Sequence, residues 1–245
     1  MPLTPVRRAY GTAAFQYGDL YRAAGQDRSR DVIAVLHGGF WRPHRGLETT
    51  APLCAYLSQR GMDVWNVEYR RVGQGVWSDT LHDCAAGVAH LDVLAEEFGL
   101  GLDRVHLVGH SAGGQLAVRT AARGGGTAAR VRSVVSLAGV LDLGHAARMR
   151  VGDDAVSGFL GGPPEEFPER YASADPVACP VPRAKVWCVH SETDTRVPFE
   201  QSERYVEDAR ARGGDVRLVT VPGAHSDLID PRSTAWRTAA RHFDF

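Results

Sequence analysis

The strongest constraint on this chain is the passage from Val105-His106-Leu107-Val108 into Gly109-His110-Ser111-Ala112-Gly113. An apolar run of strand type ends in a Gly-x-Ser-x-Gly turn, and a helix-like segment follows from Gly114 to about Ala122. So sharp a turn holds its central residue in a strained conformation. Flanking residues without side chains permit this by letting strand and helix close together. The Ser111 hydroxyl is then presented above the end of a sheet, away from the core, which is the context of a nucleophile elbow. The same residues could also form a plain structural turn, so the reading depends on what accompanies them.

Three further parts accompany them. Asp31–Leu36 reads as a buried strand and runs directly into His37-Gly38-Gly39-Phe40-Trp41. Acyl transfer needs N–H donors aimed at the oxyanion of a tetrahedral intermediate. The glycine pair lets the backbone approach a substrate, so the segment Gly38, Gly39, Phe40 and the N–H of Ala112 are the candidate donors. The competing reading is a strand-exit turn with Phe40 and Trp41 packed on a core. Next, the apolar run Lys185–His190 leads to Asp194, a carboxylate just past a strand end, where it could orient a base. Glu192 and Asp142 compete for that role, and Asp194 could instead cap the helix that starts near Pro198 or Phe199. Last, Val216–Val221 ends in Pro222-Gly223-Ala224-His225. A histidine after the last strand can reach back to the serine. Of the ten histidines, His110 is locked in the elbow and His37 more naturally braces the glycine loop, whereas His225 is favoured as the base by its place at a strand end and by the order Ser, Asp, His.

Strand-like and helix-like runs alternate along the chain. Leu47, Ala51, Cys54 and Leu57 recur at helical spacing, followed by a strand at Asp63–Val67. Leu81, Cys84, Ala85, Val88, Leu91, Ala95 and Phe98 line one face of a long helix. Beyond the elbow come strands at 131–137, 186–189 and 216–221, a helix near 199–211 and a final helix near 233–242. Residues 17–24 suggest an antiparallel edge strand. The alternation predicts an α/β fold with a mostly parallel central sheet flanked by helices. One stretch breaks the rhythm. Residues 142–182 hold six prolines from Pro163 to Pro182, and the length exceeds an ordinary loop. Either it forms a small cap-like insertion, with Phe159, Leu160, Phe167 and Tyr171 lining a substrate pocket, or it is a solvated excursion with short helices.

Bulk properties fit this picture. A chain of 245 residues without a composition break suits a single domain, 1–245. The net charge of −1 comes with both signs interspersed, which argues against nucleic acid or an anionic membrane as partner. No apolar run approaches the length of a bilayer span, and Met1–Arg8 lacks the apolar region of a signal peptide. Cys54, Cys84, Cys179 and Cys188 show no C-x-x-C spacing. They read as buried thiols in a cytoplasmic protein rather than disulfides or zinc ligands.

With these residues in place, the chain resembles the α/β-hydrolases of the esterase and lipase type over nearly its whole length. His37-Gly38-Gly39-Phe40-Trp41 is similar to the HGGxW motif of kynurenine formamidases and related small carboxylesterases, and Gly-His-Ser-Ala-Gly-Gly is similar to their elbow. Phe40 stands where hormone-sensitive-lipase-like esterases carry a third glycine, which argues against that subgroup. The resemblance implies Ser111 as nucleophile, Asp194 as acid and His225 as base, in the chain order of the superfamily. It implies an oxyanion hole from the N–H groups of Ala112 and the Gly38-Gly39-Phe40 segment. Trp41, His110, Phe159 and Leu160 are expected at the substrate pocket. The expected activity is hydrolysis of a carboxylic ester of a small or medium acyl substrate through an acyl-enzyme, needing no metal or organic cofactor. An arylformamidase or a specialised acyl transferase would use the same residues, and a binding protein on the same scaffold is a further alternative.

Overall fold

The apolar runs pair into one eight-stranded sheet in the order β1-β2-β4-β3-β5-β6-β7-β8. Its strands are β1 (Val6–Ala9), β2 (Tyr17–Tyr21), β3 (Asp31–Leu36), β4 (Asp63–Val67), β5 (Arg104–His110), β6 (Val131–Leu137), β7 (Lys185–His190) and β8 (Val216–Thr220). The first two pairings, β1 with β2 and β2 with β4, are antiparallel. All others are parallel. The computed structural model describes residues 4–25, 29–124, 130–243 and 245. Met1–Leu3, part of the stretch read for a leader, lie outside the described residues.

The helices are α1 (Ala51–Ser58), α2 (Trp77–Ala89), α3 (Leu91–Phe98), α4 (Ala112–Arg123), α5 (Leu143–Arg148), α6 (Val151–Leu160), α7 (Pro168–Ala174), α8 (Glu200–Ala211) and α9 (Thr234–Ala239). Strand side chains alternate between two faces, and the sheet divides the core accordingly. Val32, Ala34 and Leu36 of β3 join the layer with Leu81, Leu91, Leu116 and Tyr205. Ile33 and Val35 join the layer with Leu53, Leu57 and Trp236. Both faces of the central strands are therefore covered, which is why these strands read as unbroken apolar runs.

Three expectations need correction. Residues 17–24 give the strand Tyr17–Tyr21, but β1 pairs outside it, so it is not the edge. The long helix is two helices joined at His90, whose ψ of −14° bends the path. Hydrogen bonding continues through the joint, from His90 N–H to Ala86 O and from Leu94 N–H to His90 O, so one apolar face runs through both. The elbow helix begins at Ala112, immediately after the serine, rather than at Gly114.

Register brings the functional loops together. Leu36 pairs with Gly109, and His110 with Leu137, so β3, β5 and β6 end level. His190 pairs with Thr220, which does the same for β7 and β8. The loops carrying residues 37–41, 111, 194 and 225 thus gather at the carboxyl ends of the parallel strands, where open α/β sheets place their sites. Segment 142–182 is helical, built from α5, α6 and α7. Three residues within α6, Gly152, Asp153 and Asp154, take left-handed dihedrals and kink it.

The start of α4 is seated directly on the end of β3. A Cβ on Gly113 would collide with the carbonyl oxygens of Leu36 and His37. Gly113→Ala is therefore expected to lower the unfolding free energy by about 1–3 kcal/mol through overpacking, despite the roughly 1 kcal/mol by which alanine ordinarily favours a helix. Urea unfolding checks this. An unchanged or raised midpoint would contradict the close seating.

Candidate active site

Ser111 occupies the sharp turn between β5 and α4 with φ 57° and ψ −122°, a conformation that a side-chain-bearing residue adopts only when its surroundings enforce it. The enforcement is visible. Ser111 N–H donates to Leu137 O at 2.8 Å, and Gly114 N–H returns to Ser111 O at 2.9 Å. On the other side, Gly38 lies so close that a Cβ there would sit 2.8 Å from His110 O and 3.0 Å from Ser111 Cβ. Glycine is required at position 38 for this approach.

The loop after β3 carries further strain. Phe40 and Trp41 both have positive φ, 51° and 54°, which is costly for bulky side chains. Packing holds them there. Trp41 is fully buried and stacks on Phe159 with ring centres 4.7 Å apart. Its Nε1–H donates to Gln115 Oε1 at 3.2 Å, and Gln115 in turn donates to Ala174 O at 2.8 Å. Arg42 donates to Gly152 O at 2.6 Å. The 142–182 segment and the elbow helix together clamp this loop.

His37 braces the same loop through a buried polar group. Its Nε2 lies 2.9 Å from Glu68 Oε1 and its Nδ1 2.7 Å from Gly38 O. Tyr69 O–H donates to His37 O at 2.6 Å. Burial works to raise the Glu68 carboxyl. Opposing it are the hydrogen bond and charge of His37, then Arg71 and the Tyr69 N–H, and together they hold it below the usual carboxylate range. Arg71 stands 3.3 Å from Glu68 Oε1.

Asp194 and His225 meet across the loops after β7 and β8. Asp194 Oδ2 is 2.6 Å from His225 Nδ1, and the Asp194 side chain is wholly buried. His190 Nε2–H donates to Val197 O at 3.0 Å and stands 3.3 Å from Asp194 Oδ2, while Nδ1 faces Ser202 Oγ at 2.8 Å. Asp194 Oδ1 accepts the N–H groups of Arg196 and Val197 at 2.8 and 3.0 Å. Burial alone would raise this carboxyl, but the hydrogen bonds from His190 and His225, the charge of His225 and the Val197 N–H pull it well below the usual range. Asp194 is therefore an anion whose acceptor sites are filled and whose Oδ2 fixes the His225 ring.

His110 behaves differently. Burial, reinforced by the neighbouring His225, lowers it to about 3. It is a neutral ring whose Nε2–H donates to His225 O at 3.0 Å, so it positions the backbone of the neighbouring histidine.

Ser111, His225, His110, Gly38, Gly39 and Phe40 line one pocket of about 210 Å³. The rival acids are elsewhere. Asp142 caps α5 by accepting His145 N–H at 2.8 Å and holds Arg204 at 2.7 Å, and Glu192 is exposed. The pocket expectation needs correction for three residues. Trp41, Phe159 and Leu160 are buried in the core and do not line the pocket, because they stack inward to hold the loop. Phe167 and Tyr171 do not line it either. Arg45, Thr49, Arg196, Ser226 and Ile229 line it instead. Among the described residues, no group of three or more His, Cys, Asp or Glu is placed to hold a metal ion, and no helix is long and apolar enough to cross a membrane.

Comparisons with known proteins agree with this architecture. A probable isoprenylcysteine alpha-carbonyl methylesterase of Oryza sativa subsp. japonica is 24% identical over 243 residues, covering 90% of this chain and 56% of that protein. A probable isoprenylcysteine alpha-carbonyl methylesterase of Arabidopsis thaliana is 32% identical over 118 residues, covering 47% of this chain and 24% of its own length. The chain thus spans little more than half of the longer-matching relative. Among solved structures, a bacterial heroin esterase superimposes with a TM-score of 0.77 at 22% identity, covering 97% of this chain and 81% of that one. An esterase of the planctomycete Thermogutta terrifontis gives 0.72 at 19% identity, covering 97% and 89%. At these identities the solved structures establish the shared fold, that of the α/β-hydrolase esterases. The BD-FAE family profile matches residues 19–208, well over half of the chain, and the protein belongs to that family.

Proposed function

We propose that this protein hydrolyses carboxylic esters of small or medium acyl groups, with Ser111 as nucleophile, His225 as general base and acid, and Asp194 as the residue that orients His225. The observation that carries this reading is the 2.6 Å pair Asp194–His225, placed so that His225 and the strained Ser111 share one pocket. The esterase names of the relatives and structural neighbours favour an ester over a formamide.

The chemistry follows from the parts. His225 Nε2 takes the Ser111 proton as Oγ attacks the ester carbonyl carbon. Asp194 holds Nδ1–H, which fixes the tautomer and stabilises the imidazolium that forms. The carbonyl oxygen becomes an oxyanion, met by the N–H of Ala112 and an N–H of the Gly38-Gly39-Phe40 segment. Each good donor of this kind is worth roughly 3–4 kcal/mol at the transition state. The imidazolium gives its proton to the departing alkoxide and leaves an acyl-Ser111. Water, deprotonated by His225, then attacks the acyl carbonyl, and Ser111 leaves with the proton returned.

The whole chain acts as a single hydrolase domain in this reading. Segment 142–182 is a cap-like insertion that buttresses the oxyanion loop from behind, supported by the Trp41–Phe159 stack and the Arg42–Gly152 bond. The four cysteines are buried free thiols, which suits a reducing, cytoplasmic setting.

Ser111→Ala and His225→Ala are each expected to lower kcat for p-nitrophenyl acetate or butyrate by about 10⁴-fold or more while leaving the unfolding midpoint near that of the wild type. Near-wild-type turnover in either variant would remove the proposed roles. Faster wild-type turnover of N-formylkynurenine than of any ester would replace the ester with a formamide.

The state of Asp194 also predicts a stability effect. Its folded-state pKa is depressed, so it contributes stability above the unfolded carboxyl value near 3.9, and that contribution is lost as pH falls through and below it. Urea midpoints measured from about pH 6 to pH 3 should fall less steeply in Asp194→Asn than in the wild type. Parallel curves would contradict the assigned charge.

A further inference from the structure

Two arginines line the pocket with Ser111 and His225, and no carboxylate among the described residues does. Each is built onto one half of the proposed machinery. The stem of Arg45 packs on the oxyanion loop, since a Cβ on Gly39 would sit 2.5 Å from Arg45 Cβ. The Arg45 carbonyl accepts a hydrogen bond from Arg71, which stands 3.3 Å from Glu68, so its backbone is tied to the buried brace of His37. Arg196 sits on the acid loop. Its backbone N–H donates to Asp194 Oδ1 at 2.8 Å, and its guanidinium lies 5.9 Å from the centre of the Phe40 ring.

Several other arginines of this chain have their needs met inside the fold. Arg7, Arg22 and Arg70 pair with Asp19, Asp63 and Asp83, and Arg42 gives its guanidinium to the carbonyls of Gly152 and Asp153. Among the described residues, neither Arg45 nor Arg196 has an acidic partner. A guanidinium is a planar fork of donors that matches a carboxylate, and it is always charged. Two of them at the mouth of a concave site focus a positive field into it.

We propose that the substrate is an ester that itself carries a carboxylate, bound by Arg45 and Arg196 so that its scissile carbonyl rests between Ser111 and the oxyanion donors. This deepens the esterase reading above and rests on it. The two arginines select and hold the substrate and take no part in bond making or breaking.

The test is a pH-stat assay of two matched pairs at fixed ionic strength. Monomethyl adipate against methyl hexanoate places the carboxylate on the acyl side, and 4-acetoxybenzoate against phenyl acetate places it on the leaving-group side. The expected result is a kcat/KM at least about tenfold higher for the anionic member of one pair, as a charge-assisted hydrogen bond gives. That ratio should fall toward one in Arg45→Gln or Arg196→Gln, mainly through KM, and should shrink with added salt. The proposal is overturned, and the esterase reading kept, by Ser111-dependent turnover with no anionic preference in either pair. A ratio that both variants leave unchanged, or variants that depress both members of a pair equally, would overturn it in the same way. No Ser111-dependent turnover of any of the four esters overturns both readings.

Discussion

Everything at this site depends on one close backbone contact, where the first turn of α4 rests on the carbonyl oxygens of Leu36 and His37 at the end of β3. Only a residue without a side chain fits at Gly113. Because Leu36 and Gly109 pair in the sheet, this contact joins the turn that carries Ser111 to the loop that carries Gly38 and Gly39. Their relative position is then set by backbone packing, not by flexible side chains. That matters because reacting groups misplaced by about 1 Å can cost on the order of 100-fold in rate.

Strain concentrates beside this contact and is compensated around it. Ser111, Phe40 and Trp41 all take positive φ, and each is held by neighbours that would lose packing or hydrogen bonds if the backbone relaxed. The charges are held in place by their surroundings too. Asp194 is kept anionic by donors on all sides, whereas His110 is kept neutral by burial and by the nearby His225. Two histidines in ring contact, with centres 4.5 Å apart, thus have separate tasks. One donates a hydrogen bond to the backbone of the other, whose ring Asp194 holds.

The parts of the fold legible in the sequence are those with a local signature. Strands buried on both faces read as apolar runs, and the Gly-x-Ser-x-Gly turn marks the elbow. Asp194 and His225 stand out as candidates because each lies in the first loop after a strand, in the order that such sheets use. The kink at His90 leaves no mark in the sequence, since hydrogen bonding and the apolar face both continue through it. Glu68, Arg71 and His190 are not legible as site residues, because their partners lie far along the chain or across the sheet. A charged residue at the end of β4, Glu68 after Asn66-Val67, is the one local hint. Phe159 and Leu160 read as pocket residues because segment 142–182 could fold as a cap over the serine, and Trp41 because it ends the glycine-pair motif. The structure turns them inward, where they hold the loop after β3 in its strained form. Periodicity gives the buried face of an element but not which of two apolar surroundings it meets.

The central claim is that Ser111, aimed by this packing and activated by His225, carries the acyl group. Rapid acid quench of the reaction with p-nitrophenyl acetate, followed by mass spectrometry of the peptides, tests it most directly. The account predicts an acetyl group on the peptide that contains Ser111, formed in the wild type, greatly slowed in His225→Ala and absent in Ser111→Ala. Steady turnover with an acetyl group on another residue, or turnover that persists in Ser111→Ala, would contradict it.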